Sequence, residues 1–210
     1  LSHLLVGSEG TLAYSSAITL KLSPLPSKKI MGVCHFPSFY EAMDAAQHIV
    51  TLNPVAVELV DDTMISLAHR IDMFKPTVEA VVNGNPKSLL LVEFAEEQMD
   101  ENHQRLKKLH QLMGDLGYSW NKTKKIGGVI DVIDDKLQSK VSEMRKSGLN
   151  IMMSMKDDAK PVSFIEDCAV QLKDLAEYTD GLNKIFDKYN VKGTWSVSYT
   201  HLTLPTILPV

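Results

Sequence analysis

Residues 29–60 read KIMGVCHFPSFYEAMDAAQHIVTLNPVAVELV, and the fold turns on this stretch. Residues 29–36 read as a strand. Pro37 interrupts it, and Ser38 is placed to cap a helix over 39–52, with Phe39, Met43, Ala46 and Val50 on one stripe. Residues 55–60 read as a second strand. Further along the chain, 63–70 is a short helix with Asp61 and Asp62 at its cap, and 88–94, Ser-Leu-Leu-Leu-Val-Glu-Phe, is a buried strand. Residues 100–116 form an amphipathic helix that turns Leu106, Leu109 and Met113 inward, with Gly117 suited to its C-terminal end. A helix over 134–147 ends at Gly148. Beyond it come a strand over 161–170, a helix over 174–189 and the start of a strand over 191–195. Strands interleaved with helices predict an α+β fold: an antiparallel sheet with helices on one face. No repeat of fixed period is visible.

Composition agrees with a globular chain. Of the 210 residues, 44% are hydrophobic and 23% charged, which permits one large domain or two small ones and excludes a disulfide miniprotein or a disordered tail. The formal net charge of −4 argues against a nucleic-acid partner, which needs a concentrated basic face. The longest basic cluster, Lys122-Thr-Lys-Lys125, reads as a solvated loop. No run of about 18 apolar residues suggests a membrane span. No basic stretch precedes an apolar core at the start, so no signal peptide is expected; the cysteine pattern suits a reducing cytoplasm, with membrane association of the full-length protein left open. Cys34 and Cys168 lack any CxxC or metal-ligand spacing and read as buried free thiols.

Upstream, residues 12–22 end in alternation: Ile18, Leu20 and Leu22 on one face, Thr19 and Lys21 on the other, the pattern of a half-buried strand. Ser23-Pro-Leu-Pro-Ser27 cannot continue a sheet, so a domain boundary is expected there, separating 1–26 from 27–196. Leu1 to Leu5 read like the middle of a domain, and the chain as a slice of a longer protein. Residues 197–210 carry none of the 22 basic and 26 acidic side chains. From Val197 to Thr206 they match the translation of a transposase sequencing adapter, so this tail is expected to be non-native, and His201 is set aside as a ligand or base.

The most informative segment is Val6-Gly7-Ser8-Glu9-Gly10-Thr11-Leu12-Ala13. Glycines three apart allow a sharp turn and close approach to a ligand, and successive N–H groups there can hold a phosphate or a flavin edge. It is neither a P-loop nor a GxGxxG opening a helix. Followed by Ala-Ile-Thr-Leu-Lys-Leu and Ser-Pro-Leu-Pro, it resembles the last part of the FAD-binding domain of FAD-linked oxidases of the vanillyl-alcohol oxidase type. Lys160-Pro-Val-Ser-Phe-Ile-Glu-Asp-Cys-Ala-Val170, Leu172, Leu175-Ala-Glu-Tyr178 and Gly193-Thr-Trp195 resemble the cap domain of D-2-hydroxyacid dehydrogenases of the D-lactate and D-2-hydroxyglutarate type. The likeness runs over residues 1–195. Gln171 stands where the family usually has Pro.

The resemblance implies the end of an FAD-binding α+β domain over 1–26 and a truncated α+β substrate cap over 27–196. It implies oxidation of a 2-hydroxyacid with hydride transfer to FAD, and Gly7, Ser8, Glu9, Gly10, Thr11 and Leu12 as the cofactor-binding residues. Arg145 matches the arginine that holds the substrate carboxylate, and Lys160 is a second substrate-side cation. No catalytic residue or metal ligand is expected within the chain. The family's metal-ligating histidines and general base lie beyond Trp195, as would any fused iron–sulfur segment. The electron acceptor stays open, and the isolated chain is expected to be inactive. Glu166 and Asp167, adjacent in a strand, point to opposite faces and do not form a dyad; Asp167 reads as a structural partner. His35, His48, His69, His103 and His110 show no metal spacing. Met152, Met153 and Met155 read as core or cofactor-side packing. Two other readings stay open: an FAD-dependent alcohol or sugar oxidase of the same superfamily, and a non-enzymatic α+β small-molecule-binding module.

Overall fold

Alternate residues of the strand after the proline turn enter two different apolar clusters, and this determines how the helices are placed. In a computed structural model, residues 1–22, 28–120, 127–153, 165, 168, 170–191 and 193–195 are described. Strand β1 (Ile30–Phe36) is buried at all seven positions. Ile30, Cys34 and Phe36 join one cluster. Met31 and Val33 join the other. The remaining strands are β2 (Ala56–Asp61), β3 (Ser88–Phe94) and β4 (Gly128–Val132). Their order is β2-β3-β1-β4, with every neighbouring pair antiparallel. One row across the sheet runs Leu59, Leu90, Cys34, Val129; the next runs Glu58, Leu91, Val33, Ile130 and faces the opposite way.

The helices, in chain order, are α1 (Ser2–Leu5), α2 (Phe39–Ile49), α3 (Asp62–His69), α4 (Lys75–Val81), α5 (Met99–Asp115), α6 (Asp135–Lys146), α7 (Gly148–Met153) and α8 (Leu175–Lys188). Buried side chains of α2, α5 and α8 pack in the first cluster. Those of α3, α4, α6 and α7 pack in the second. The α+β class and antiparallel sheet stand as expected, but the placing of helices on one face is corrected: they cover both. The physical reason is visible in Ser88-Leu-Leu-Leu-Val-Glu-Phe, where consecutive apolar residues must find cover on opposite sides. Each such side chain contributes roughly 1.5–3 kcal/mol when fully buried.

Local signals account for the helix starts. The Ser38 hydroxyl accepts from the Glu41 amide, Asp61 from the Met64 amide and Asp134 from the Leu137 amide, each at a helix N-terminus. Gly117 follows α5 with φ +95°. Gly32 lets α5 approach β1: a Cβ there would lie 2.5 Å from Leu109 Cδ2 and 3.0 Å from Leu106 Cδ1.

Some expectations fail. Ile18, Leu20 and Leu22 are 71–83% exposed and form no strand. Alternation is only half of what a strand needs; the other half is a neighbouring strand to bond with, which this segment lacks among the described residues. Among 191 and 193–195 no strand is present either. The expected strand over 161–170 lies almost wholly outside the described residues, as do Lys122 to Lys125 and the 197–210 tail. Strand β4 and helix α4 were not anticipated. Cys34 is buried as expected, and burial pushes its thiol pKa up, whereas Cys168 is exposed.

His35 is the polar residue of β1. Its Nδ1–H donates to the Val33 carbonyl at 2.9 Å and its Nε2 accepts from the Asn83 amide at 3.1 Å, with the Trp120 ring edge-on at 5.0 Å. Both nitrogens are thereby committed to the neutral ring, and burial lowers the pKa below the ordinary 6.5. On unfolding, the freed imidazole takes up a proton as pH falls past 6.5, while the native ring resists. The stability that His35 supplies is therefore complete above that pH and is lost below it. Denaturant midpoints measured from about pH 7 to about pH 5 are expected to fall, and His35→Gln is expected to flatten the fall. An equal slope in both proteins would refute this role.

Candidate functional site

Three groupings carry side chains or backbone suited to chemistry. The first is the glycine loop. Gly7 and Gly10 have φ +82° and +78°, and Glu9 between them has φ +49°, so three of four successive residues are left-handed. The turn is closed by Thr11, whose amide and hydroxyl both donate to the Ser8 carbonyl, at 2.9 and 2.6 Å. No atom lies within 4 Å of where a Cβ would stand on either glycine, so the backbone is open to a ligand on that side. Leu5, Ser8, Glu9, Gly10, Tyr14 and Ile18 line a half-open concavity of about 350 Å³. That is at the small end of ligand pockets. A flat ring laid against bare backbone is what such a loop accommodates, so residues 7–12 fit the edge of a flavin.

The second grouping is centred on Asp61, the last residue of β2. Its Oδ1 accepts from the Met64 amide and so caps α3. Its Oδ2 accepts from the Thr194 hydroxyl at 2.6 Å and from the Trp195 amide at 3.0 Å. The Trp195 indole donates to Asn183 on α8 at 3.0 Å and lies 5.3 Å from the Phe39 ring. One buried carboxylate thus fastens residues 194 and 195 to the sheet, 133 positions away along the chain. Reading the sequence revealed the cap; nothing in it indicated the second set of partners.

The third is Arg145, in the last turn of α6. Its Nη2 forms an ion pair with Glu58 of β2. The two side chains are 27% and 17% exposed. Nε of Arg145 is buried and has no hydrogen-bond partner among the described residues. A guanidinium nitrogen in that position calls for an acceptor, and a carboxylate is the acceptor whose geometry suits it. Glu58 was missed in the sequence. The available signal was a lone carboxylate inside an otherwise apolar strand, which requires a cation opposite.

The expected site residues are not brought together in one place. No hydrogen bond or ion pair joins loop 7–12 to Arg145 among the described residues. Lys160, Glu166, Asp167 and Met155 lie outside them. Met152 is half-buried and Met153 exposed. Of the histidines, His69 faces Glu79 at 3.6 Å and His110 faces Asp131 at 2.6 Å. Among the described residues no three His, Cys, Asp or Glu side chains gather as a metal site. None of the described helices is long and apolar enough to cross a membrane.

Comparison with known proteins shows the family. Residues 25–203 match the family model of the C-terminal domain of FAD linked oxidases. The chain belongs to that family. The match begins after loop 7–12 and ends within the 197–210 segment. Similar curated proteins include the D-2-hydroxyglutarate dehydrogenase of Pantoea ananatis, 30% identical over 195 residues, and that of Escherichia coli, 28% identical over 204. Each alignment covers 91% of this chain and 19% of the relative. The D-lactate dehydrogenase of Archaeoglobus fulgidus is 26% identical over 202 residues, 96% of this chain and 39% of its own length. The chain therefore spans 19–39% of the length of these relatives, and what its residues 25–203 match is the C-terminal domain of the family.

The Asp61 junction gives a direct test. Asp61→Asn keeps an oxygen for the α3 cap but sets an NH₂ against two donors, which is expected to cost roughly 1.5–3 kcal/mol in urea unfolding. With Trp120→Phe leaving Trp195 as the one tryptophan, the same change is expected to shift its emission to the red. An unchanged spectrum and midpoint would show that the second oxygen holds nothing in place.

Proposed function

We propose that the whole protein is a flavin-dependent dehydrogenase of D-2-hydroxyacids, of the 2-hydroxyglutarate or lactate type, and that this chain supplies the cation for the substrate carboxylate. The observation that carries the proposal is the buried Arg145 Nε without a partner among the described residues, on a guanidinium already tethered by Glu58. The names of the similar proteins support the substrate class.

In this reading loop 7–12 lays its backbone along the flavin edge. The glycines keep side chains away from the ring, and the Thr11 bonds to Ser8 keep the turn from opening. FAD held along this loop would supply the redox chemistry, as the hydride acceptor for a 2-hydroxyacid. Arg145 holds the substrate carboxylate and so fixes the orientation of C2, a contribution to binding and alignment rather than to bond breaking. Lys160 serves as a second cation on the substrate side. Divalent-metal ligands and the base that removes the hydroxyl proton belong to polypeptide beyond Trp195.

The test is made in the full-length flavoprotein. Arg145→Lys keeps the charge but loses the planar fork. It is expected to raise KM for D-2-hydroxyglutarate or D-lactate about tenfold or more with flavin content preserved, and Arg145→Met to raise it further. An unaltered KM in both variants would remove Arg145 from the substrate site.

A further inference from the structure

Glu58 sits in an apolar row and pairs with Arg145. It is flanked across the sheet by Leu91, then Val33, then Ile130. Leu91 and Val33 are buried, and Val60, next on the same face of β2, is buried as well. The helices above this face add Met64, Val141, Met144 and Ile151 to the same cluster. A carboxylate in such surroundings is costly unless a cation meets it. Arg145 does so from the C-terminal turn of α6, where the helix dipole already favours a positive charge.

The two partners are not equally mobile. Glu58 stands on a strand held in register against β3, with Val57 opposite Val92 and Leu59 opposite Leu90. Arg145 has a long stem with several rotatable bonds, in the last turn of a helix, two residues before its Ser147 cap. Pairing therefore constrains the arginine more than the glutamate. With Nη2 on Glu58, one end of the guanidinium is tethered and Nε is left as the donor without a partner among the described residues.

We infer that Glu58 is a positioning residue for the oxidation: by holding Nη2 of Arg145 it sets the orientation in which the guanidinium receives the substrate carboxylate. The inference rests on the reading of Arg145 as the carboxylate-binding cation. It has a sign that simpler roles lack. If Glu58 only offset the charge, its removal would strengthen the pull of Arg145 on an anion and lower KM. If it only stabilised the fold, its removal would reduce the amount of flavin-loaded enzyme and leave the KM of that enzyme alone. Positioning raises KM.

The experiment uses the full-length flavoprotein, with rates expressed per bound flavin so that unfolded protein does not enter. Glu58→Gln is expected to raise KM for the D-2-hydroxyacid about tenfold, through loss of the ion pair that holds Nη2, with kcat within about twofold. In an Arg145→Lys background the same change is expected to add less than about twofold, because the fork it orients is gone. If Glu58→Gln yields no flavin-loaded enzyme, Glu58→Asp is measured in its place with the same expectation of a raised KM. A KM that is unchanged or lowered by the Glu58 change, while Arg145→Lys raises it, overturns the positioning role alone. A KM indifferent to Arg145→Lys overturns the reading beneath it.

Discussion

A four-stranded sheet covered on both faces has no room for a polar side chain without a partner, and the rest of the molecule is arranged around that constraint. β1 and β3 lie between two apolar clusters, one under α2, α5 and α8, the other under α3, α4, α6 and α7. Among the described residues, His35, Asp61 and Glu58 show how such groups are matched. His35 spends one nitrogen on Val33 and the other on Asn83. Asp61 satisfies a helix start with one oxygen and the 194–195 segment with the other. Glu58 meets Arg145. Satisfying a buried polar atom in this way also fixes where its partner stands.

That coupling links fold to chemistry. Burial of the β2–β3–β1 rows forces a charge at position 58 to recruit a cation from α6, and recruiting it turns a long flexible side chain into an oriented one. The Arg145 site is thus a consequence of the same packing that holds the sheet together. The glycine loop is built on a different principle. It has no core of its own; its shape comes from two residues without Cβ and a turn closed by Thr11, and what it presents is backbone.

Much of this was legible in the sequence. Ser38, Asp61 and Asp134 announced helix starts, and Ser88-Leu-Leu-Leu-Val-Glu-Phe announced a buried strand with the bounds the structure shows. The same stretch also carried the evidence for two covered faces, since a strand apolar at odd and even positions alike cannot have a wet side. The glycine loop and Arg145 were marked by their resemblance to FAD-linked oxidases, and the family match covers residues 25–203. β4 escaped because Gly128-Val-Ile-Asp-Val is short and begins with glycine, so its strand character depends on pairing with β1. α4 escaped because Pro76 reads as a breaker, although proline is tolerated in a helix's first turn. Ile18 to Leu22 misled in the opposite direction, with a strand's alternation and no partner strand among the described residues. The bonds from Asp61 to Thr194 and from Glu58 to Arg145 span 133 and 87 positions (145 minus 58), and no local pattern encodes contacts at that range.

The central claim is that these elements belong to an enzyme that passes hydride from a D-2-hydroxyacid to its flavin. It is tested most directly by mixing the full-length flavoprotein anaerobically with D-2-hydroxyglutarate or D-lactate and following the visible flavin band. The account predicts that one of these acids bleaches the band and that its L-enantiomer does not. A band that neither acid alters, in protein whose flavin a chemical reductant bleaches, would contradict it.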